Sequence, residues 1–465
     1  MEIFKPLTRQ IADQIRLQIA SGHFPPESKL PSLRTHAEMQ GVAKNTMVQA
    51  YELLVAEGVL EPRRGAGFYV TGARGAPISA DGWAPALDQA LASVGIDRSQ
   101  FHALGGSPSI GDGLPPSKWL ETCRLDRYMQ KIGRSGLGTN FRYGDPFGYL
   151  PLRQSIARKL DAYGISARTD QIVLTQGSYQ AVDIMIRRFV RPGDTVLVDV
   201  PGFYPTYNKL RLQGANIVGI PRTPEGPDLP SFRQAISRFK PKLFFTQSTA
   251  HNPTGSDITE EVASALMRLA SKAGVLVVDD DALADFKPPQ SLRLSRLDRE
   301  LDHSVYVGSF SKSLSSMVRV GFLVCSPALA RALVEVKTTL SLNSSPYAER
   351  TVDAVITEGR FERHVVDLQN RARRATQVAL AELESHGASV FCSPECTLFL
   401  WARLPGVNDS TAFAKKLLER GITLAPGSIF LPNSSGRSPW FRFNVGFMEA
   451  TDHMELVWQE VNRWR

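Results

Sequence analysis

The run Val305-Tyr306-Val307-Gly308-Ser309-Phe310-Ser311-Lys312-Ser313-Leu314-Ser315-Ser316-Met317-Val318-Arg319 joins a short apolar strand to a lysine set among hydroxyls. Val305–Val307 is apolar without alternation, as expected of a strand covered on both faces. Serines at 309, 311, 313, 315 and 316 flank Lys312, and Arg319 follows one loop later. A lysine after a strand is ordinarily just solvated. This grouping instead suits an amine held for a Schiff base beside a phosphate, with the guanidinium forking onto phosphate oxygens.

Working outward, runs of the same kind recur at Ile172–Leu174, Thr195–Val198, Leu243–Phe245, Val275–Val278 and Gly321–Val324, bounded by Gly, Pro or Asp. Helical stretches between several of them predict an α/β fold built on a mainly parallel sheet covered by helices. Three more strand ends carry chemistry. Thr175-Gln176-Gly177-Ser178-Tyr179-Gln180 lies between a strand and a helix, where backbone N–H groups and the helix dipole can receive a phosphate. Val277-Val278-Asp279-Asp280-Asp281 ends a strand in carboxylates, one of which could hold a proton on a pyridine nitrogen. His251-Asn252-Pro253-Thr254-Gly255 offers an amide for a ring hydroxyl. Singly these read as a helix cap, a solvated acidic loop and a β-turn. Together, at the carboxyl ends of strands in one sheet, they stand where ligands gather. From Pro346 on, a long polar helix (about Phe361–Glu384) and strands near Thr397–Ala402 and Trp440–Val445 predict a smaller α+β part.

The first seventy residues read differently. Ile11, Ile15 and Ile19 predict a helix over Leu7–Ala20, a second runs from Ser32 to Gln40 before Gly41, and a third runs from about Lys44 to Gly58. Val59-Leu60 and Phe68-Tyr69-Val70 flank Arg63-Arg64-Gly65-Ala66-Gly67 as a hairpin, completing the order of a winged helix-turn-helix. In the third helix Lys44, Asn45, Thr46 and Gln49 can face base edges while Val48, Tyr51 and Leu54 form the apolar back. Residues 73–113, rich in Gly, Ala, Pro and Ser, read as a linker with one short helix near Leu87–Val94.

The whole chain has 465 residues, with 54 Lys and Arg against 46 Asp and Glu, and near-average apolar content, 43%. It contains no apolar run of membrane-spanning length and no signal-like start, and four scattered cysteines make no disulfide framework, so a cytoplasmic location is expected. Cys392 and Cys396 lack the spacing and second pair of a zinc site, and no metal site is expected. His364 and His453 read as lone histidines on polar helices, and Trp440 as core.

Residues 7–71 closely resemble the GntR family of bacterial winged-helix regulators, through Lys29-Leu30-Pro31-Ser32-Leu33-Arg34, Val42-Ala43-Lys44-Asn45-Thr46 and Gly65-Ala66-Gly67-Phe68-Tyr69-Val70. That resemblance places Arg34, Lys44, Thr46, Gln49 and Arg63 on double-stranded DNA. Lys44 stands where the family usually has Arg, keeping charge without the fork. Residues 103–460 are similar to fold-type I pyridoxal-phosphate (PLP) aminotransferases, in the motifs above with Tyr143-Gly144-Asp145-Pro146-Phe147-Gly148 and Leu152-Arg153 upstream. A head and body so joined resemble the MocR subgroup, as does Gly359-Arg360-Phe361-Glu362-Arg363-His364. The domains implied are 1–72 for DNA, 73–113 as linker and 114–465 for PLP, with a large part at about 140–335 and a small part at about 336–465.

By this resemblance Lys312 forms the internal aldimine, Asp280 pairs with the pyridine nitrogen, Asn252 contacts the ring hydroxyl and Phe203 stacks on the ring. Ser178, Tyr179, Ser309 and Arg319 hold the phosphate, Arg442 takes a substrate or effector carboxylate, and Tyr143 reaches the phosphate of a neighbouring subunit, implying a domain-swapped homodimer. One departure stands out: Leu283 replaces the tyrosine whose phenol donates to the ring oxygen. The function implied is a PLP-dependent transcriptional regulator sensing PLP or a small amino compound through an aldimine at Lys312, with little or no turnover. The alternative is a working aminotransferase with an accessory DNA-binding head.

Overall fold

The computed structural model describes residues 7–20, 22–71, 110–134, 142–432, 437–449 and 451–464. It divides into two compact units, 1–84 and 85–465. The expected short helix at Leu87–Val94 lies outside the described residues.

In the first unit, α1 (Leu7–Ala20), α2 (Leu33–Gln40) and α3 (Lys44–Ala56) precede a hairpin of β1 (Leu60–Arg63) and β2 (Gly67–Val70). The Ser32 hydroxyl accepts from the Thr35 N–H and so caps α2, and Gly41 ends it in the left-handed region (φ 63°). Met47, Tyr51 and Leu54 recur at helical spacing and bury fully against Ile15 and Ala37. Val48, expected on that back face, is only half-buried, because Met47 sits closer to the centre of the stripe.

In the second unit an eight-stranded sheet has the order β3-β10-β9-β8-β7-β4-β5-β6. Its strands are β3 (Ile172–Thr175), β4 (Thr195–Val200), β5 (Asn216–Thr223), β6 (Gly226–Pro227), β7 (Leu243–Thr246), β8 (Leu276–Asp281), β9 (Ser304–Ser309) and β10 (Gly321–Val324). The central strands β9, β8, β7, β4 and β5 are parallel neighbours. The apolar runs of β4, β7, β8 and β9 are buried on both faces by helices, which is why they do not alternate, whereas β5 is buried only at Ile220 and Arg222. β10 departs from the parallel pattern: it is antiparallel to both β3 and β9, since the loop 310–320 returns the chain too quickly for a crossover helix. A second sheet, β11 (Ser389–Val390), β12 (Phe399–Arg403), β13 (Ala425–Pro426) and β14 (Trp440–Asn444), is antiparallel in the order β11-β12-β14-β13 and packs on the long helix Arg360–Ser385.

Residues 110–113, which composition assigns to the linker, pack in the body. Ile110 is fully buried in the core of the second sheet, and Gly111 N–H donates to Thr423 O. A Gly-Asp-Gly sequence has no periodicity, so a packed strap of this kind reads as linker. No helix among the described residues is long and apolar enough to cross a membrane, and no three His, Cys, Asp or Glu side chains there are grouped to hold a metal.

Candidate functional site

The carboxyl ends of β8, β9 and β4 bring Asp280, Lys312 and Phe203 to one side of the large sheet, and β14 supplies Arg442 from the small sheet. Strand alternation sorts the three acids. Asp279 accepts from Ser248 N–H (2.9 Å) and Oγ (2.6 Å), and Asp281 from Thr249 Oγ1 (2.6 Å), Arg293 Nε (2.7 Å) and Tyr306 OH (3.0 Å). Asp280, between them, projects to the opposite face, where its buried Oδ1 has no hydrogen-bond partner. Burial, then the neighbouring Asp279 and Asp281 charges, push its carboxyl up to about 7.

Lys312 lies in the loop after β9, and its Nζ donates to Gly113 O at 2.6 Å. Burial, then the Arg442 charge, lowers its amine to about 8, so the neutral, nucleophilic form is a minority near physiological pH but a far larger one than for an ordinary lysine. Arg442 is buried, with Nη1 donating to Asn252 Oδ1 (3.0 Å) and Nη2 to Gly111 O (2.7 Å), between the rings of Phe399 and Phe430. Asn252 is further held through its N–H to Gln247 Oε1 (2.6 Å). Phe203 lines a cleft with His251 and Asp280.

Where β3 ends, Gly177 (φ 75°) precedes the helix Ser178–Phe189, whose first N–H groups have no side-chain cap. Arg319 crosses this turn, with Nη2 donating to Gln176 O (3.0 Å) and Nη1 to Ser311 Oγ (3.2 Å). A Cβ on Gly177 would lie 2.6 Å from Arg319 Nη2, and one on Gly321 would lie 2.6 Å from the Gly177 backbone. The cradle therefore requires glycine at both places. Ser309 Oγ accepts from Ser311 N–H in the same loop. Tyr179 is half-exposed under the Lys209 ammonium, 3.7 Å from its ring centre, and Tyr143 is 81% exposed. The structure thus gathers Lys312, Asp280, Asn252, Arg442, Phe203, Ser178, Ser309 and Arg319, and leaves Tyr143 on the surface.

These residues fit a pyridoxal phosphate. An orphaned buried carboxylate oxygen suits a pyridinium N–H, a helix start crossed by a guanidinium suits a phosphate, and a lysine shifted toward its neutral form suits an aldehyde. Leu283 is buried in apolar contact with the cluster of Ala250 and Phe286, so no phenol faces the ring oxygen from that position.

Sequence reasoning missed the support. Asp199 binds Arg222 Nη1 (2.9 Å) and lies 3.4 Å from His251 Nε2, all three buried; burial, then Arg222, lowers His251 to about 4, so it is neutral beneath the site. Arg293 is an isolated loop residue with no local signal. His364, read as a lone histidine on a polar helix, is buried, its ring bonded to Thr122 Oγ1 and to Ser313 O beside Lys312. Cys396 is buried, and Trp440, read as core, is half-buried at the edge of the interior, stacked on Trp401.

In the head, Lys44 and Gln49 are exposed on α3 and Thr46 half-buried, Gln49 Oε1 accepting from Thr8 Oγ1 (3.3 Å). Arg34 is exposed and paired with Glu38 (3.2 Å), and Arg63 lies over the Tyr69 ring (4.3 Å) and pairs with Glu61 (2.6 Å).

Residues 115–457 match the family profile "Aminotransferase class I and II", and residues 7–70 match "Bacterial regulatory proteins, gntR family". The chain is 29% identical to the Escherichia coli K12 "Uncharacterized HTH-type transcriptional regulator YdcR" over 97% of each chain. It is 27% identical to the "Probable rhizopine catabolism regulatory protein MocR" of Rhizobium meliloti, over 82% of this chain and 78% of that protein. It is also 27% identical to the 2-aminoadipate transaminase of Thermus thermophilus, over 72% of this chain and 84% of that one. The solved structure of LysN, the α-aminoadipate aminotransferase of Thermus thermophilus, superposes with a TM-score of 0.73 at 24% identity, covering 81% of this chain and 97% of LysN.

Proposed function

The chain belongs to the aminotransferase class I and II family, with a head of the gntR family of bacterial regulatory proteins, and from that premise we propose that it is a cytoplasmic, DNA-binding transcriptional regulator. Its body senses pyridoxal phosphate, or a small amino compound joined to it, at Lys312, with little or no turnover. The observation that carries this reading is the presence in one chain of an exposed polar first turn on α3 and a half-buried Lys312 beside a buried, unpartnered Asp280.

When bound, the cofactor supplies an aldehyde for an amine to capture and a ring that draws electrons. Lys312, lowered toward neutrality by burial, offers the amine. Asp280 holds a proton at the ring nitrogen through the oxygen now without a partner. Ser178, Tyr179, Ser309 and Arg319 take the phosphate, Phe203 covers a ring face, and Asn252 donates to the ring oxygen. Arg442 receives a carboxylate. Exposed Tyr143 is proposed to serve a second copy of the chain in a domain-swapped homodimer. Lys44, Thr46, Gln49, Arg34 and Arg63 are proposed to meet DNA, while the connection between head and body transmits occupancy. The apolar Leu283 supports binding over turnover, because it offers the ring oxygen no phenol donor beside the Asn252 amide.

A second reading, an active aminotransferase with an accessory head, is favoured by the gathering of Lys312, Asp280, Asn252, Arg319 and Arg442 in one site. Single-turnover absorbance of the PLP-loaded chain with a panel of amino acids and amines separates the two: rapid conversion to the pyridoxamine form supports the enzyme. DNA titrations of the full chain with and without PLP test the regulator, and absence of DNA affinity at moderate salt contradicts it.

A further inference from the structure

The chain from the head enters the described part of the body at Ile110, and the residues that follow lie on the two cations of the site. Gly113 O accepts from Lys312 Nζ, and Gly111 O from Arg442 Nη2. The same segment is gripped from β14 by Asn444. Its N–H donates to Ile110 O (2.7 Å), and its Nδ2 to Asp112 O (2.9 Å) and Leu114 O (2.7 Å). Residues 442 and 444 are two apart on one strand and so face the same side, which puts guanidinium and clamp together. The seat is tight, since a Cβ on Gly111 would lie 2.5 Å from Ala425 N.

We infer that Asn444 is a positioning residue that holds Ile110–Leu114 as an internal competitor for Lys312 and Arg442, so that a ligand in the site is read as release of this segment. The inference rests on the sensing function proposed above. A carboxylate carries full charge where the Gly111 carbonyl carries only a dipole, so a ligand carboxylate displaces that carbonyl from Arg442. An aldehyde that condenses with the neutral Lys312 amine forms C=N while the carbonyl oxygen leaves as water with the two amine protons, so the N–H that Gly113 O accepts is lost. Both carbonyls belong to the segment that continues in sequence toward the head, so occupancy is converted to movement at the point of entry.

The test uses the full chain and two stable probes. N-(5′-phosphopyridoxyl)glycine has ring, phosphate and carboxylate, and N-(5′-phosphopyridoxyl)methylamine lacks the carboxylate. Binding is followed by tryptophan fluorescence, and release by hydrogen exchange at the Gly111 amide, which donates to Thr423 O. The expected result is at least tenfold faster exchange with the glycine probe and less than twofold change with the other. Asn444→Ala is expected to exchange fast without any probe, and to bind a duplex from upstream of its own gene within twofold of probe-bound wild type. Binding of the glycine probe with Gly111 exchange unchanged, or equal acceleration by both probes, overturns the inference and leaves the sensing function standing. Failure of either probe to bind contradicts the sensing function itself, and the inference with it.

Discussion

Asp280 and Leu283 lie three positions apart and pull the site in different directions. Asp280 is a buried acid pushed up to about 7, above the ordinary carboxylate range, so between that range and pH 7 the folded chain holds a proton the unfolded chain has lost. Stability without cofactor therefore falls as pH rises through this window. Asp280→Asn removes the buried charge and is expected to stabilise the cofactor-free chain at pH 8 by about 1–3 kcal/mol, with the gain shrinking toward pH 4. Denaturant midpoints across pH check it, and the same variant should lose the visible PLP band. Leu283 was legible as a departure from a pattern, but the run of three acids left the register ambiguous until strand alternation showed Asp280 alone facing Lys312. Leu283→Tyr is expected to raise single-turnover conversion to the pyridoxamine form at least tenfold with a reactive amino acid. An unchanged rate would show that the missing phenol does not limit turnover.

At the scale of elements, the site depends on how closely two strand ends approach. Gly321 of β10 packs on the Gly177 backbone, and Arg319 threads across it. Gly177→Ala adds a Cβ at positive φ against that guanidinium and is expected to cost about 1–3 kcal/mol of stability and to weaken PLP binding more than tenfold. Thermal unfolding and a PLP titration measure both. The central strands were legible because burial on both faces leaves unbroken apolar runs, as at Val305–Val307. The reversal of β10 was not, because direction is set by loop length and not by composition. The strap at 110–113 was hidden for a related reason: its fixed shape comes from bonds donated by Asn444 and Arg442, more than three hundred positions away, and Gly-Asp-Gly carries no pattern of its own.

At the scale of the molecule, the chain's positive excess lies mostly outside the head: residues 1–75 hold nine Lys and Arg against seven Asp and Glu. What marks the reader is the placement of Lys44 and Gln49 on an exposed helix start over an apolar back. Lys44→Ala is expected to weaken DNA binding on all sequences alike and to reduce the slope of log affinity against log salt by about one, as loss of a single phosphate contact does. A slope that stays the same would put Lys44 off the backbone. Control of DNA binding by the proposed pyridoxal-phosphate site is read from the affinity of the full chain for the duplex upstream of its own gene at fixed salt, with and without PLP, in wild type and in Lys312→Ala. The expected result is a change of about fivefold or more in wild type, within the usual range of coupling between sites, and none in Lys312→Ala. Equal affinity with and without the cofactor in wild type would contradict the account.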